Sequence, residues 1–267
     1  MKRKNRLNVE LPALAFITGA SSGIGKEYAI QLANQGINLV ISARREARLV
    51  ELKNQLEDTY NIEVEVFLAD LSRLEDIERM TAYIRERPVD ILINNAGFGT
   101  VGDFANADLE QEVAMIHVHN IAPVYFCRAA LEGMVARNRG FIINVSSVAS
   151  YVTLPGAGMY GATKAFLRNF SISLGKEFKG SNIRVQALLP GFTHTEFHQG
   201  EKLSELKSSL PKFLFMDAEE LVRKSLRALN RKKVVCTPKL INKILRFLLR
   251  SPLFSGIAHK IASGKQL

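Results

Sequence analysis

The chain has no tryptophan and only two cysteines among its 267 residues. Cys127 and Cys236 stand far apart in apolar surroundings. They form neither a metal-ligand spacing nor a disulfide framework, so a reducing cytoplasm is the expected compartment. Long hydrophobic runs are missing too. No stretch approaches the roughly 18 apolar residues that a membrane span needs. The opening MKRKNRLNVELPALAFITGAS imitates a secretory signal, with basic, then apolar, then small residues. Glu10 and Pro12 interrupt it, and the uninterrupted run 13–17 is too short for a signal's apolar core. It reads as a strand.

Acidic residues are absent from Leu221 onward, where twelve Lys or Arg occur. Of the totals, 36 basic and 26 acidic residues, this leaves 24 basic against 26 acidic before that point. The net charge of +10 therefore belongs to the tail, and the body is near neutral. That distribution argues against a domain-wide nucleic-acid surface, and the tail interleaves few stacking aromatics beyond Phe247 and Phe254. Its stretch KLINKILRFLLRSPLF, 239–254, is amphipathic at helical spacing. Either it lies on an anionic membrane surface, making the protein peripheral there, or it packs on protein with a solvated basic face.

What remains is rich in short apolar, β-branched runs: 13–17, 37–42, 63–69, 89–94, 140–146, 183–189 and 233–237. Periodic segments at 24–35, 45–58, 72–86, 109–137 and 157–179 read as helices. Buried strands alternating with helices predict an α/β fold, a Rossmann-type doubly wound parallel sheet of about seven strands with helices on both faces. No linker or repeat divides it. One dinucleotide-binding catalytic domain over 1–238, followed by the basic tail 239–267, is the economical organisation.

The first strand runs into TGASSGIG, 18–25. Gly19, Gly23 and Gly25, with Ser21, Ser22 and Ile24 between them, make a turn that opens a helix. Free N–H groups and the positive end of the helix dipole there suit a pyrophosphate. The second strand ends in ISARRE, with Ala43 where an acid would bind a ribose 2′-hydroxyl. Arg44 and Arg45 follow. Either they are solvated charges at a helix start, or they hold a 2′-phosphate; the unfavourable dipole there leans toward the phosphate, and so to NADP(H) over NAD(H). Asp70, before Leu71, is a partner for the adenine amino group or a helix cap. HTEFHQGE, 194–201, resembles a metal cluster only locally, so no metal is expected.

Tyr160 and Lys164 lie one helical turn apart. A free phenol near pKa 10 is too weak an acid for neutral pH, and a neighbouring ammonium is expected to lower it. The phenol then becomes a usable proton donor to a carbonyl oxygen, with the Ser147 hydroxyl beside it.

At this point the chain resembles the compact short-chain dehydrogenase/reductase family over residues 12–195, particularly 3-oxoacyl reductases and hydroxysteroid dehydrogenases. TGASSGIG, NNAG (94–97), Asn120, SS (146–147), YGATK (160–164) and PGFT (190–193) occur in the family's order. The resemblance implies Tyr160 as proton donor and Ser147 as the group polarising the carbonyl. Lys164 would bind the nicotinamide ribose, and Asn120 would hold a water linking Lys164 to solvent. Asn94, Ala96 and Gly97 would flank the adenosine, with Pro190, Gly191 and Thr193 at the nicotinamide end. A lid at about 192–216, with Phe98, Val101, Phe104, Tyr151, Val152 and Leu154, would cover an apolar acyl, sterol-like or aromatic carbonyl or alcohol substrate. A homodimer or homotetramer built on the long helices is implied. The alternative is a non-catalytic NADP(H)-sensing protein, which the intact Ser147–Tyr160–Lys164 set disfavours.

Overall fold

A computed structural model describes residues 7, 9–153, 155–195 and 214–239. Its seven strands are β1 (Leu14–Thr18), β2 (Asn38–Ala43), β3 (Val64–Leu68), β4 (Val89–Asn94), β5 (Gly140–Val145), β6 (Ile183–Leu188) and β7 (Val235–Cys236). They form one parallel sheet in the order β3-β2-β1-β4-β5-β6-β7. Strand order reverses between β1 and β4, which places a crevice at the carboxyl ends of those two strands.

The helices are α1 (Gly23–Ala33), α2 (Glu46–Tyr60), α3 (Leu74–Arg85), α4 (Leu109–Ile116), α5 (Ala122–Ala136), α6 (Gly158–Glu177) and α7 (Ala218–Asn230). Two cores flank the sheet, because successive strand residues point to opposite faces. Ile17, Ile93 and Ile143 meet Leu32, Leu52, Leu56 and Leu226 on one side. Phe16, Leu92 and Ile142 meet Ile77, Met80, Phe126 and Met134 on the other. Strands β4 and β5 are buried at every position, which is why their sequences run apolar without alternation. At the sheet edge, β3 buries only Val64 and Phe67 and leaves Glu65 and Leu68 exposed.

One element departs from the sequence expectation. The helix read as continuous over 109–137 is broken by a π turn at His117–Ile121, where the Ala122 N–H reaches back to the His117 carbonyl. Pro123 stands in the first turn of α5 and has no N–H for the carbonyl four residues earlier. The ladder widens by one residue to pass it.

Two sequence assignments lie outside the described residues. They are the centre of the lid, 196–213, and the tail from 240 onward. Among the described residues, no helix is long and apolar enough to cross a membrane.

Candidate active site

The glycine turn closes on the crevice between β1 and β4. Gly19 and Gly23 take positive φ, +66° and +56°, where side chains are strained. A Cβ on Gly19 would sit 2.8 Å from Ala96 Cα, and one on Gly25 only 2.3 Å from the Gly19 carbonyl oxygen. Thr195 overhangs from the far side, 3.0 Å from where a Gly23 Cβ would lie. Ser22 occupies the N-cap position of α1 in extended conformation and makes no side-chain cap. Its hydroxyl and that of Ser21 each accept from Arg45 Nη2, both at 2.9 Å. Ile24, half-buried, packs on the adjoining core.

Thr18 and Asn95 tie the crevice together. Thr18 Oγ1 accepts from the Asn95 and Ala96 N–H groups at 3.0 and 3.1 Å. Asn95 Nδ2 donates to the Thr18 and Gly19 carbonyls at 3.0 and 3.1 Å. Asn94, by contrast, turns into the protein: its Nδ2 donates to Asn144 Oδ1 at 2.7 Å, and Asn144 Nδ2 donates to Ser171 Oγ at 2.9 Å. That buried chain fixes α6 against β4 and β5. Arg44 approaches Asp70 at 3.9 Å, both well exposed. Asp70 Oδ1 accepts from the Ser72 N–H and hydroxyl; the N-cap position of α3 falls to Arg73, which makes no side-chain cap. Leu71 is buried in the adjoining core.

Past β5, the Val148 N–H donates to the Pro190 carbonyl at 2.9 Å, joining the serine turn to the loop after β6. Ser146 is committed to structure, its hydroxyl donating to the Lys164 carbonyl at 2.7 Å. Ser147 caps a short 3-10 turn (Val148–Tyr151), and its side chain opposes part of the burial-driven rise of the Tyr160 pKa. Lys164 is buried, with Nζ 3.1 Å from the Val145 carbonyl and 5.8 Å from the Tyr160 ring centre. Thr193 is buried, its hydroxyl donating to Gly191. The two described ends of the expected lid segment are joined, since the Met216 N–H donates to the Phe192 carbonyl and the His194 N–H to the Met216 carbonyl. Of the expected mouth residues, Phe98 lies 6.0 Å ring to ring from His119; Val101, Phe104, Tyr151 and Val152 are among the described residues, and Leu154 lies outside them.

A family model described as short chain dehydrogenase matches residues 13–205. The chain belongs to the short-chain dehydrogenase family. It is similar to the NADP-dependent 3-hydroxy acid dehydrogenase YdfG of Escherichia coli K12, 38% identical over 188 residues, or 69% of this chain and 74% of that one. A short-chain dehydrogenase from Sphingobium yanoikuyae, solved with NADPH, superposes with a TM-score of 0.81 at 33% identity, covering 96% of each chain. A bulky-bulky ketone specific alcohol dehydrogenase from Comamonas testosteroni superposes with a TM-score of 0.77 at 33% identity, covering 88% of this chain and 91% of that one.

In this short-chain dehydrogenase the electrostatics of the Tyr160–Lys164 pair differ from the sequence expectation. Burial raises the Tyr160 pKa, and the Ser147 hydrogen bond opposes the rise. Lys164 is itself lowered to about 7 by burial. The same withdrawal from water that isolates the phenol strips charge from the ammonium meant to assist it. Tyr160 as a whole residue is only half-buried.

Sequence reasoning named Asn120, read His117 and His119 as satisfied structural histidines rather than catalytic ones, and missed Thr18 and Asn95. Asn120 is buried, and its Nδ2 donates to the Thr163 carbonyl at 2.9 Å. His119 is the neighbour whose imidazole stacks edge-on against Tyr160, with ring centres 5.9 Å apart. For Asn95 a signal existed: it is the second Asn of NNAG, one residue past the buried end of β4. His194 stacks on Phe215 at 5.0 Å, and among the described residues no group of His, Cys, Asp or Glu is arranged for a metal.

Proposed function

We propose that the chain is an NADP(H)-dependent oxidoreductase that interconverts an apolar ketone or related carbonyl with its secondary alcohol. The observation that carries this reading is the buried Lys164 Nζ 5.8 Å from the Tyr160 ring, with Ser147 acting on the same phenol, beside the carboxyl end of β5. The glycine cradle fits a dinucleotide: a single Cβ at Gly19 or Gly25 would collide with backbone, so the turn is shaped for close approach. Arg45 at the rim, reaching over Ser21 and Ser22, supplies the charge a 2′-phosphate requires. The NADP-dependence of YdfG and the NADPH bound by the Sphingobium enzyme point the same way.

When bound, the dinucleotide would supply or accept a hydride at the carbonyl or carbinol carbon. Ser147 donates a hydrogen bond to the substrate oxygen, and Tyr160 gives that oxygen its proton, or takes one in the reverse direction. Lys164 would hold the nicotinamide ribose, Pro190, Gly191 and Thr193 would border the ring, and Ala96 and Gly97 the adenosine side. Phe98, Tyr151, Phe192 and Phe215 favour an apolar substrate, and the Comamonas enzyme's bulky ketones are the chemical class to try first.

The catalytic unit in this reading spans 1–238. Apolar side chains exposed on α4 to α6, among them Leu109, Val113, Tyr125 and Phe166, support a homodimer or homotetramer. The test is a panel of bulky ketones, 3-oxoacyl thioesters and steroids with NADPH, followed by absorbance loss. Tyr160→Phe should cut turnover by about 10²–10⁴-fold while leaving NADPH affinity within about threefold. Undiminished turnover in that variant would remove Tyr160 from the chemistry.

A further inference from the structure

Three features converge on His119. It is fully buried, and its ring nitrogens both have partners. Nε2 lies 3.2 Å from the Phe98 N–H, so Nε2 accepts. Nδ1 lies 2.9 Å from Thr163 Oγ1, whose own proton goes to the Tyr160 carbonyl at 3.0 Å. Thr163 must therefore accept from His119, which fixes a neutral imidazole carrying its proton on Nδ1. Third, a Cβ on Gly97 would sit 2.7 Å from His119 Nε2 and 3.3 Å from Lys164 Nζ. The imidazole and the ammonium thus face one another across Gly97.

We propose that His119 is the positioning residue of the active site, clamping the Gly97–Phe98 turn to the Tyr160–Lys164 face of α6. The argument rests on the function proposed above. The turn borders the expected cofactor, and α6 carries the proton donor. His119 is the side chain that hydrogen-bonds both, while Asn120 bonds only the Thr163 carbonyl among the contacts seen. Edge-on contact with Tyr160 and a 6.0 Å approach to the Phe98 ring complete the clamp. The titratable groups facing the imidazole are Lys164 and Tyr160 on α6. On its own element, His117 turns away to the Ser72 carbonyl. Burial first, and the Lys164 charge second, hold His119 well below its ordinary pKa, in keeping with the neutral form. Gly97 is then required, because any side chain there would wedge the clamp apart.

Long-range ¹H–¹⁵N correlation spectra of the full chain test the state of the ring, with His119→Asn identifying its signals by their loss. A bare Nε2 and a protonated Nδ1, unchanged down to about pH 5.5, are expected; titration near the ordinary value of about 6.5 would overturn the proposal. Kinetics supply the second arm. His119→Leu should lose about 10–100-fold in kcat with NADPH dissociation constants within about threefold, because a misplaced donor costs rate more than binding. His119→Asn, which can still donate to Thr163, should recover most of that loss. Equal kcat in parent and both variants would refute the clamp. If the Leu variant fails to fold, the Asn variant and the spectra on the parent still decide. A parent chain that reduces no carbonyl would count against the function and not against the ring's placement, which the spectra read directly.

Discussion

Replacing Gly25 with alanine sets two effects of opposite sign against each other. Gly25 lies within the first turn of α1, where Gly→Ala ordinarily stabilises a helix by up to about 1 kcal/mol. Here the new methyl would stand 2.3 Å from the Gly19 oxygen and 2.5 Å from Asn95 Nδ2. The first obstacle is backbone and cannot rotate away. Overpacking of this kind costs about 1–3 kcal/mol, and displacing Asn95 forfeits hydrogen bonds worth about 1 kcal/mol more. Strain therefore exceeds propensity by about 1–3 kcal/mol. At about 2–4 °C per kcal/mol, the melting temperature should fall by about 3–10 °C. Since the distortion falls on the dinucleotide turn, NADPH affinity should drop with it. The assay is differential scanning fluorimetry with and without NADPH, beside Gly158→Ala as a contrast. Gly158 opens α6 and has nothing within 4 Å of its would-be Cβ, so helix propensity acts unopposed there and melting should not fall, rising by up to about 2–4 °C. A Gly25→Ala protein that melts no lower than the parent and binds NADPH as well would refute the close-packed turn.

Arg45→Ala should weaken NADPH by about 10–100-fold while leaving NADH nearly untouched, given about 1.5–3 kcal/mol for charged hydrogen bonds to a phosphate. Equal losses for both dinucleotides, measured by titration of cofactor fluorescence, would take Arg45 away from the 2′ position. Lys164→Met should change the pH dependence of stability. The buried amine titrates at about 7 and an unfolded one near 10.4, so between those values the unfolded chain binds a proton that the folded chain lacks. Parent stability therefore rises with pH through that window, and below it the cost of the buried charge is fully felt. The Met variant should be the more stable at about pH 6, with the gap narrowing by about pH 8.5 as the lost Val145 hydrogen bond begins to count. Urea titrations at both pH values decide it, and parallel profiles would refute the buried charge. Cys127, raised to about 12 by burial, enters only above that range, where it lowers stability as pH rises.

The sheet was legible because its central strands are buried on both faces and read as unbroken apolar runs. The glycine turn and the Tyr160–Lys164 spacing were legible because each depends on residues close in sequence. His119 was legible only as a satisfied structural histidine; its bridge from the Phe98 N–H to Thr163 was not, because it joins segments 21 and 44 residues away. A π turn adds one residue, which rotates whatever follows by about 100° relative to a regular helix, and Pro123 carried the warning. The ionisation of Lys164 was illegible for another reason: burial depends on how α6 seats against β5, through the Asn94–Asn144–Ser171 chain, and those partners are far apart in sequence. Asn95 was signalled by its place in NNAG, but its side-chain partners, the Thr18 and Gly19 carbonyls, are main chain and leave no trace in residue types.

The stapling of Phe192 and His194 to Met216 separates two kinds of change. Phe192, His194 and Met216 keep a fixed spacing on either side of the sequence that joins them. If Tyr160 is the proton donor proposed above, chimaeras exchanged at 193 and 215 should change which carbonyls are reduced, while Tyr160→Phe still cuts turnover in each of them.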